Sequence, residues 1–466
     1  MQFCTICEKI EKCGKGKIEE SKRLFFRKDQ NAGFSPFYPC FSKVFPTGKT
    51  KALPCQNLLF HTFHIPTTTT KYIYNHHIRR ESTLSFRRSK GRNAMHFRVQ
   101  TDEINYGLGM VTRAIAARPA KQVYDGVLIE TDENALLLTC TDGEISIKAR
   151  VNAMVEEEGC ALLPAKLFAE MMRKQPVGEV DIKVGDNMRA AIRSRGTNTS
   201  MACMPAEDYP EIRDVNGEYH VELPCNRFRD AISHVQFAVS NDESRKILTG
   251  ILMEVHPEET LLVGLDGFRL ALQRIEAENN LGAKAQLNTV VPGRTLSEVS
   301  KMLPDSDDMV EIIFNNSHIM YAFGTVKVYG TLLTGEFIDY QKILPATWAT
   351  EVMVNRSVFS DAIDRCSLMA REGKNNLIYL HLQPSGIMEM TANAERGDVH
   401  EELEIGFEGN ELSIAFNSRY LTDIIHNVSD ENLKMCFNSN VSPCMILPVE
   451  GNAFTFLVLP VRIFAK

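Results

Sequence analysis

The sequence predicts an α+β chain made of three copies of one unit, each with two helices and antiparallel sheets. Three observations predict it. Two segments repeat at a fixed offset: Gly126-Val127-Leu128-Ile129-Glu130 with Thr141-Asp142-Gly143, and Gly250-Ile251-Leu252-Met253-Glu254 with Leu265-Asp266-Gly267, displaced by 124 residues at both landmarks (126 to 250, 142 to 266). A more worn copy follows at Leu377-Ile378-Tyr379-Leu380-His381 and Met388-Glu389-Met390-Thr391-Ala392-Asn393. The span 95–466 holds 372 residues, three times 124, so the repeat accounts for all of it. Within each copy the periodicity changes in the same order, from helical to alternating and back.

Each unit opens on a helix. Apolar residues at i, i+4, i+7 and i+11 draw one stripe along it: Ile104, Leu108, Val111, Ile115; Phe228, Ile232, Val235, Val239; Phe359, Ile363, Cys366, Ala370. Short runs such as Ala135-Leu136-Leu137-Leu138-Thr139 and Leu261-Leu262-Val263, bounded by Asp-Gly turns, read as hairpin strands. A second helix opens at Pro164, Pro292 or Asn417, because proline suits a first helical turn and asparagine caps one. Further strands bring each unit to about eight. The boundaries implied are a first domain at 95–216, a second at 217–346 and a third at 347–466.

Composition bounds the function. The chain has 466 residues, 44% hydrophobic and 24% charged, the make-up of an ordinary soluble globular protein of two to four domains. It has no apolar run of 18 residues and no charged-then-apolar leader at its start, which excludes a membrane span and a secretory signal. Twelve scattered cysteines make no disulfide framework and favour a reducing, cytoplasmic setting. Charge is uneven: residues 1–94 hold 18 Lys and Arg against 6 Asp and Glu, a net +12, leaving −19 on the rest.

The second helices keep bases at one register. Lys166, Arg294 and Arg419 stand second after each opening residue, and Arg173, Lys301 and His426 follow seven later on the same face. Phe168, Leu296 and Leu421 point the other way. The first helices add Arg113, Arg227, Arg229, Arg356 and Arg365. One such stripe reads as a solvated helix face. Three in register inside a −19 body read as segregated positive surface, which suits a polyanion.

Together with Leu265-Asp266-Gly267-Phe268-Arg269-Leu270, Phe337-Ile338-Asp339-Tyr340-Gln341-Lys342-Ile343-Leu344-Pro345 and Leu459-Pro460-Val461-Arg462-Ile463, the repeats resemble the bacterial DNA polymerase III β subunit, the DNA sliding clamp, from Met95 to the end. The resemblance implies three clamp domains forming half of a ring. A head-to-tail homodimer would close it around double-stranded DNA without sequence preference, with helices lining the hole. It implies a processivity factor with no catalysis and no cofactor or metal of its own. Its implied partners are the replicative polymerase, the clamp loader, repair polymerases and mismatch-repair proteins, and its place the cytoplasm, at the nucleoid. By matching position, Arg118 and Arg245 would touch DNA beside Lys166, Arg173, Arg294, Lys301 and Arg419. Thr199 and Met201 would meet Leu368 and Met369 of the other subunit. A peptide pocket between the second and third domains would be walled by Leu248, Leu265, Gly267, Phe268, Arg269, Leu270, Lys342, Ile343, Leu457, Leu459, Pro460, Val461 and Arg462. Two positions depart from the family: Ile338 stands where proline is usual and loosens a turn, and Phe268 stands where histidine is usual and makes the groove more apolar. The alternative is a three-domain scaffold that binds peptides without encircling DNA.

Other chemistry reads blandly. Asp142 and Asp266 sit in Asp-Gly turns with no paired acid or nucleophile, so they read as turn residues. Cys140, Cys160, Cys203, Cys225, Cys366, Cys436 and Cys444 are scattered singly and read as core or free thiols. Gly324-Thr325-Val326-Lys327 lacks the glycine spacing of a phosphate loop. In the first 94 residues, Cys4, Cys7, Cys13 and the pairs His61/His64 and His76/His77 fit no familiar zinc spacing. That stretch reads either as translated upstream sequence, with Met95 the true initiator, or as a basic tail with added DNA affinity; the first reading is favoured. Little packing is expected of it.

Overall fold

In each repeat a strand runs straight into a helix, and the residue at the joint decides where one ends. The computed structural model describes residues 94–279, 281, 286–373 and 375–462. The expectations for 1–93, the reading of Cys4, Cys7, Cys13, His61, His64, His76 and His77 as fitting no familiar zinc spacing among them, lie outside the described residues, as does Ile463.

The first repeat comprises β1 (Met95–Gln100), α1 (Thr101–Val111), β2 (Gly126–Asp132), β3 (Ala135–Thr141), β4 (Ile145–Asn152), β5 (Met154–Glu157), β6 (Cys160–Pro164), α2 (Ala165–Arg173), β7 (Glu179–Gly185), β8 (Arg189–Ser194) and β9 (Thr197–Ala202). The second comprises β10 (Tyr219–Pro224), α3 (Cys225–Gln236), β11 (Gly250–Val255), β12 (Glu259–Leu265), β13 (Arg269–Glu276), β14 (Leu287–Pro292), α4 (Gly293–Met302), β15 (Met309–Phe314), β16 (His318–Phe323) and β17 (Val326–Thr331). The third comprises β18 (Thr350–Asn355), α5 (Arg356–Glu372), β19 (Leu377–Gln383), β20 (Ile387–Ala394), β21 (Gly397–Glu404), β22 (Gly406–Gly409), β23 (Leu412–Asn417), α6 (Ser418–His426), β24 (Asn432–Phe437), β25 (Cys444–Pro448) and β26 (Phe454–Val458).

Two details differ from the sequence reading. Pro164 and Pro292 end β6 and β14 in extended backbone and act as N-caps; the helices begin one residue later. The fixed φ of proline fits either state, and lacking an N–H it closes a strand without leaving a donor unpaired. Asn355 and Asn417 cap with their side chains, Asn417 Oδ1 accepting from the Arg419 amide. Ile115 and Val239 also lie past the ends of α1 and α3. After Val111 the chain tightens into a 3₁₀ turn, with the Thr112 hydroxyl donating to the Leu108 carbonyl at 2.7 Å, and Ile115 is extended. Both side chains still pack on the core.

The strands join into sheets that ignore the repeat boundaries. One eight-stranded sheet runs β10-β15-β16-β17-β4-β3-β2-β6, and one nine-stranded sheet runs β14-β11-β12-β13-β26-β25-β24-β18-β22. The seam in each pairs the last strand of one repeat with the fourth strand of its neighbour, and the register is the same. Val326, first in β17, faces Ala149, fifth in β4; Phe454, first in β26, faces Gln273, fifth in β13. Two smaller sheets remain, β5-β1-β7-β8-β9 and β21-β20-β19-β23. At one edge of each lie β9, the last strand of the first repeat, and β21, the fourth strand of the third.

The helices bury one stripe against these sheets. Phe168, Phe228, Leu296, Phe359 and Leu421 are 0% exposed. Each such side chain contributes about 1.5–3 kcal/mol. A separate cluster fills the seam between the second and third repeats and includes Leu248, Leu252, Leu265, Leu270, Tyr340 and Leu457. Its small counterpart in the first repeat is Leu128, Leu162 and Tyr209.

Candidate nucleic-acid and partner interfaces

Helical register places the predicted cations on the outer face of each second helix. Lys166 and Arg173 on α2, Arg294 and Lys301 on α4 and Arg419 on α6 are all exposed. Their charges are not equally free. Arg294 Nη1 lies 2.5 Å from Asp142 Oδ2 of the first repeat and 3.7 Å from Glu144, and Lys301 Nζ lies 2.7 Å from Glu298. The cations of α4 are exposed, and carboxylates stand beside both of them. The β17–β4 seam brings the N-terminus of α4 to the acidic Asp142 turn, and the carboxylates answer its cations. Among the described residues Lys166, Arg173 and Arg419 make no ion pair. Three of the five arginines assigned to the first helices are more committed still: Arg229 pairs with Asp230 and Asp305, Arg113, in the 3₁₀ turn after α1, with Glu298, and Arg365 forks onto Glu401 with two bonds of 2.7 Å.

Arg118 is exposed in the irregular stretch after α1. Arg245 interrupts a 3₁₀ segment (Glu243–Thr249) at φ −114°, ψ 62°, and its guanidinium donates to Asp242 Oδ2 at 3.3 Å and to the Asp266 carbonyl at 3.2 Å.

Both Asp-Gly pairs are turns. Asp142 Oδ1 accepts the amides of Glu144 and Ile145, Asp266 Oδ1 those of Phe268 and Arg269, and Gly143 and Gly267 hold φ of +97° and +96°. Gly324, at φ +52°, lies in the turn between β16 and β17.

Of the predicted pocket wall, Leu248, Leu265, Leu270 and Leu457 come together in the second cluster, with Ile343 and Leu459 packed against it. These four leucines are at most 4% exposed, so they form a closed floor rather than an open wall, because residues of both repeats interlock there. Phe268 stands 53% exposed at the rim, stacked on Tyr420 of α6 with centroids 5.8 Å apart. Arg269 lies over the rings of Tyr420 and Phe237, binds Asp266 at 3.0 Å and pairs with Asp423 of α6. The terminal segment seals the far side: Leu459 N donates to the Phe268 carbonyl and Val461 N to that of Ala415, with Pro460 half-buried between them and Arg462 exposed. Lys342 is exposed and pairs with Asp339 at 2.7 Å. The exposed Ile338 precedes Asp339, where the chain turns into the 3₁₀ segment Tyr340–Lys342.

Sequence reasoning missed Tyr420, Asp423 and Tyr340. The first two sit on a helix read only for its cations. Tyr340 was readable, since Asp208-Tyr209 and Asp339-Tyr340 recur; its hydroxyl donates to Glu254 at 2.6 Å, as that of Tyr209 does to the Thr139 carbonyl.

The four residues assigned to the subunit contact stand on or beside two edge strands, β9 and β21. Thr199 and Met201 lie on β9. Leu368, 66% exposed, and Met369 lie on α5 behind β21, with Met369 Cε 3.5 Å from where a Cβ on Gly397 would stand.

Burial pushes the thiols of Cys225 and Cys366 up to about 11 and that of Cys436 to about 12, which leaves them neutral at physiological pH and poor nucleophiles. Among the described residues no group of three or more His, Cys, Asp or Glu is arranged to hold a metal, and no helix is long and apolar enough to cross a membrane.

Three family models described as DNA polymerase III beta subunit match in chain order: N-terminal domain over residues 95–213, central domain over 222–339 and C-terminal domain over 341–462. The chain belongs to the DNA polymerase III β subunit family. The beta sliding clamp of Bacillus subtilis is 29% identical over 380 residues, spanning 79% of this chain and 100% of its own. The crystal structure of the DNA polymerase sliding clamp from the same organism aligns at TM-score 0.76 with 29% identity and the same coverage. The DNA polymerase III beta subunit of Thermotoga maritima aligns at TM-score 0.74 with 25% identity, again over 79% of this chain and 100% of its own. The three repeats are clamp domains of α+β class, and the family's role is that of a DNA sliding clamp in replication.

Proposed function

We propose that two copies of this chain join head to tail into a ring around duplex DNA and hold the replicative polymerase on it, without catalysis of their own. Domains at 95–216, 217–346 and 347–466 would each supply one sixth of the ring. The repeated seam carries this reading. Two junctions inside the chain pair a last strand with a fourth strand in one register, and β9 and β21, the last strand of the first repeat and the fourth of the third, both stand at sheet edges. Applying that register puts Thr197 opposite Glu401 of a second copy, Thr199 opposite Val399 and Met201 opposite Gly397, over Met369. Two such contacts would pair β9 and β21 of both copies and close the assembly on itself. Leu167 fits the same scheme: 53% exposed on α2, it occupies the helix position from which Tyr420 covers the neighbouring turn.

Inside such a ring Lys166, Arg173 and Arg419, and more weakly Arg294 and Lys301, would face phosphates, joined by Arg118 and Arg245. Contacts of this kind are screened by salt and indifferent to sequence, so they permit sliding while the closed ring prevents escape. The rim of Phe268, Arg269 and Tyr420 over its leucine floor suits a short peptide with apolar anchors, presented in turn by polymerase, clamp loader and repair proteins. Such a protein would work in the cytoplasm, at the nucleoid.

Loading onto nicked circular DNA by a clamp loader, followed by linearisation, tests the reading. A ring stays on circles through a salt wash and runs off free ends. Equal loss from both would instead support the non-encircling scaffold.

A further inference from the structure

The Asp266–Arg269 turn is held from two sides by residues of different assignment. On one side lies Arg245, a candidate DNA contact. Its bonds to Asp242 Oδ2 and to the Asp266 carbonyl, 3.3 and 3.2 Å, are long for a guanidinium. Its Nη1 stands 3.0 Å from where a Cβ on Gly267 would be, so it rests directly against the turn. The side chain is 48% exposed, within reach of a competing anion. On the other side the turn forms the pocket rim. Asp266 Oδ2 binds Arg269 Nε at 3.0 Å, Arg269 reaches Asp423 of the third repeat, and the Phe268 carbonyl anchors the Leu459 amide.

A phosphate oxygen offers Arg245 a full negative charge where the Asp266 carbonyl offers a partial one, so duplex DNA wins that guanidinium. The turn then loses the support on its DNA side, while its other restraints stay. A rim less well held costs more to order around a ligand. We propose that this turn couples the two sites: duplex DNA engaging Arg245 weakens the pocket's hold on its peptide, and bound peptide weakens the hold on DNA by the same factor. The inference rests on the proposed function, which supplies both ligands, and goes beyond it by naming the element that links them. In this proposal Arg245 acts on the peptide as a positioning residue, through its contact with the turn.

Anisotropy of a labelled synthetic peptide carrying one Leu and one Phe anchor, titrated with the full chain, tests it at low salt with and without a saturating short blunt duplex. The wild-type Kd is expected to rise about fivefold or more when duplex is present. Arg245→Ala, confirmed folded by its melting curve and saturated with duplex by mobility shift, is expected to show the raised Kd already without duplex and no further change with it. A wild type that binds both probes with one unchanged Kd overturns the coupling alone, as does an Arg245→Ala that keeps the wild-type response. A wild type that binds neither probe, or only one, overturns the functional reading, and the coupling falls with it.

Discussion

The Arg294 guanidinium of the second repeat lies 2.5 Å from the Asp142 carboxylate of the first, whose side chain is only 5% exposed. A cation aligned by sequence with Lys166 and Arg419 thus ties two repeats together before it meets any ligand. Arg294→Ala should lower stability by about 1–2 kcal/mol in urea denaturation, because Asp142 keeps its two turn amides. Its effect on DNA retention should be smaller than that of Lys166→Ala with Arg173→Ala. Equal loss of retention would mean that Arg294 leaves Asp142 for DNA.

Strand register at the subunit contact is open to a covalent test. Thr199→Cys with Val399→Cys should give a disulfide-linked dimer on a non-reducing gel, since the shared register sets those positions face to face. The native thiols of Cys140, Cys225, Cys366, Cys436 and Cys444 are buried, so the test is run with the other seven cysteines, Cys160 and Cys203 among them, replaced by serine. A monomer band under oxidation, with dimer in solution by light scattering, would reject the register.

The exposed ring of Phe268 should dominate peptide recognition. Phe268→Ala is expected to weaken a Leu- and Phe-bearing peptide about tenfold, the loss usual for an aromatic anchor, while moving stability by less than about 1 kcal/mol. Isothermal calorimetry reads the first and thermal unfolding the second. Deleting residues 459–466 should abolish peptide binding and spare dimerisation, because the leucine floor and the Phe268 carbonyl lose Leu459 while β9 and β21 are untouched.

Acid should loosen the seam between the first and second repeats. Burial alone would raise the Asp214 carboxyl, but hydrogen bonds from Tyr329 and Lys327 and the charges of Lys327 and Lys148 hold it below its ordinary value. A depressed carboxyl gives stability that is present above its unfolded pKa, near 4, and lost as pH falls through the folded one. Asp214 is half-exposed, so the contribution is about 0.5 kcal/mol. Asp214→Asn should therefore be less stable than wild type at pH 7, with the gap closing below about pH 4 in urea melts. A constant gap would remove Asp214 from the acid response.

By itself the sequence determined the repeat, the helix faces and the turns, because these follow from local periodicity: Phe168 inward and Lys166 outward on one helix, Asp266 and Gly267 closing one hairpin. Composition also set the acidic body apart from the basic first 94 residues. Only the tertiary structure decided which cations are free and what builds the pocket rim. Arg294 meets Asp142 across 152 residues of chain, and Arg269 meets Asp423 across 154. Sheets that run through the repeat boundaries create both meetings. No local pattern encodes a distance between residues that far apart; it arises when strand pairing brings two repeats edge to edge.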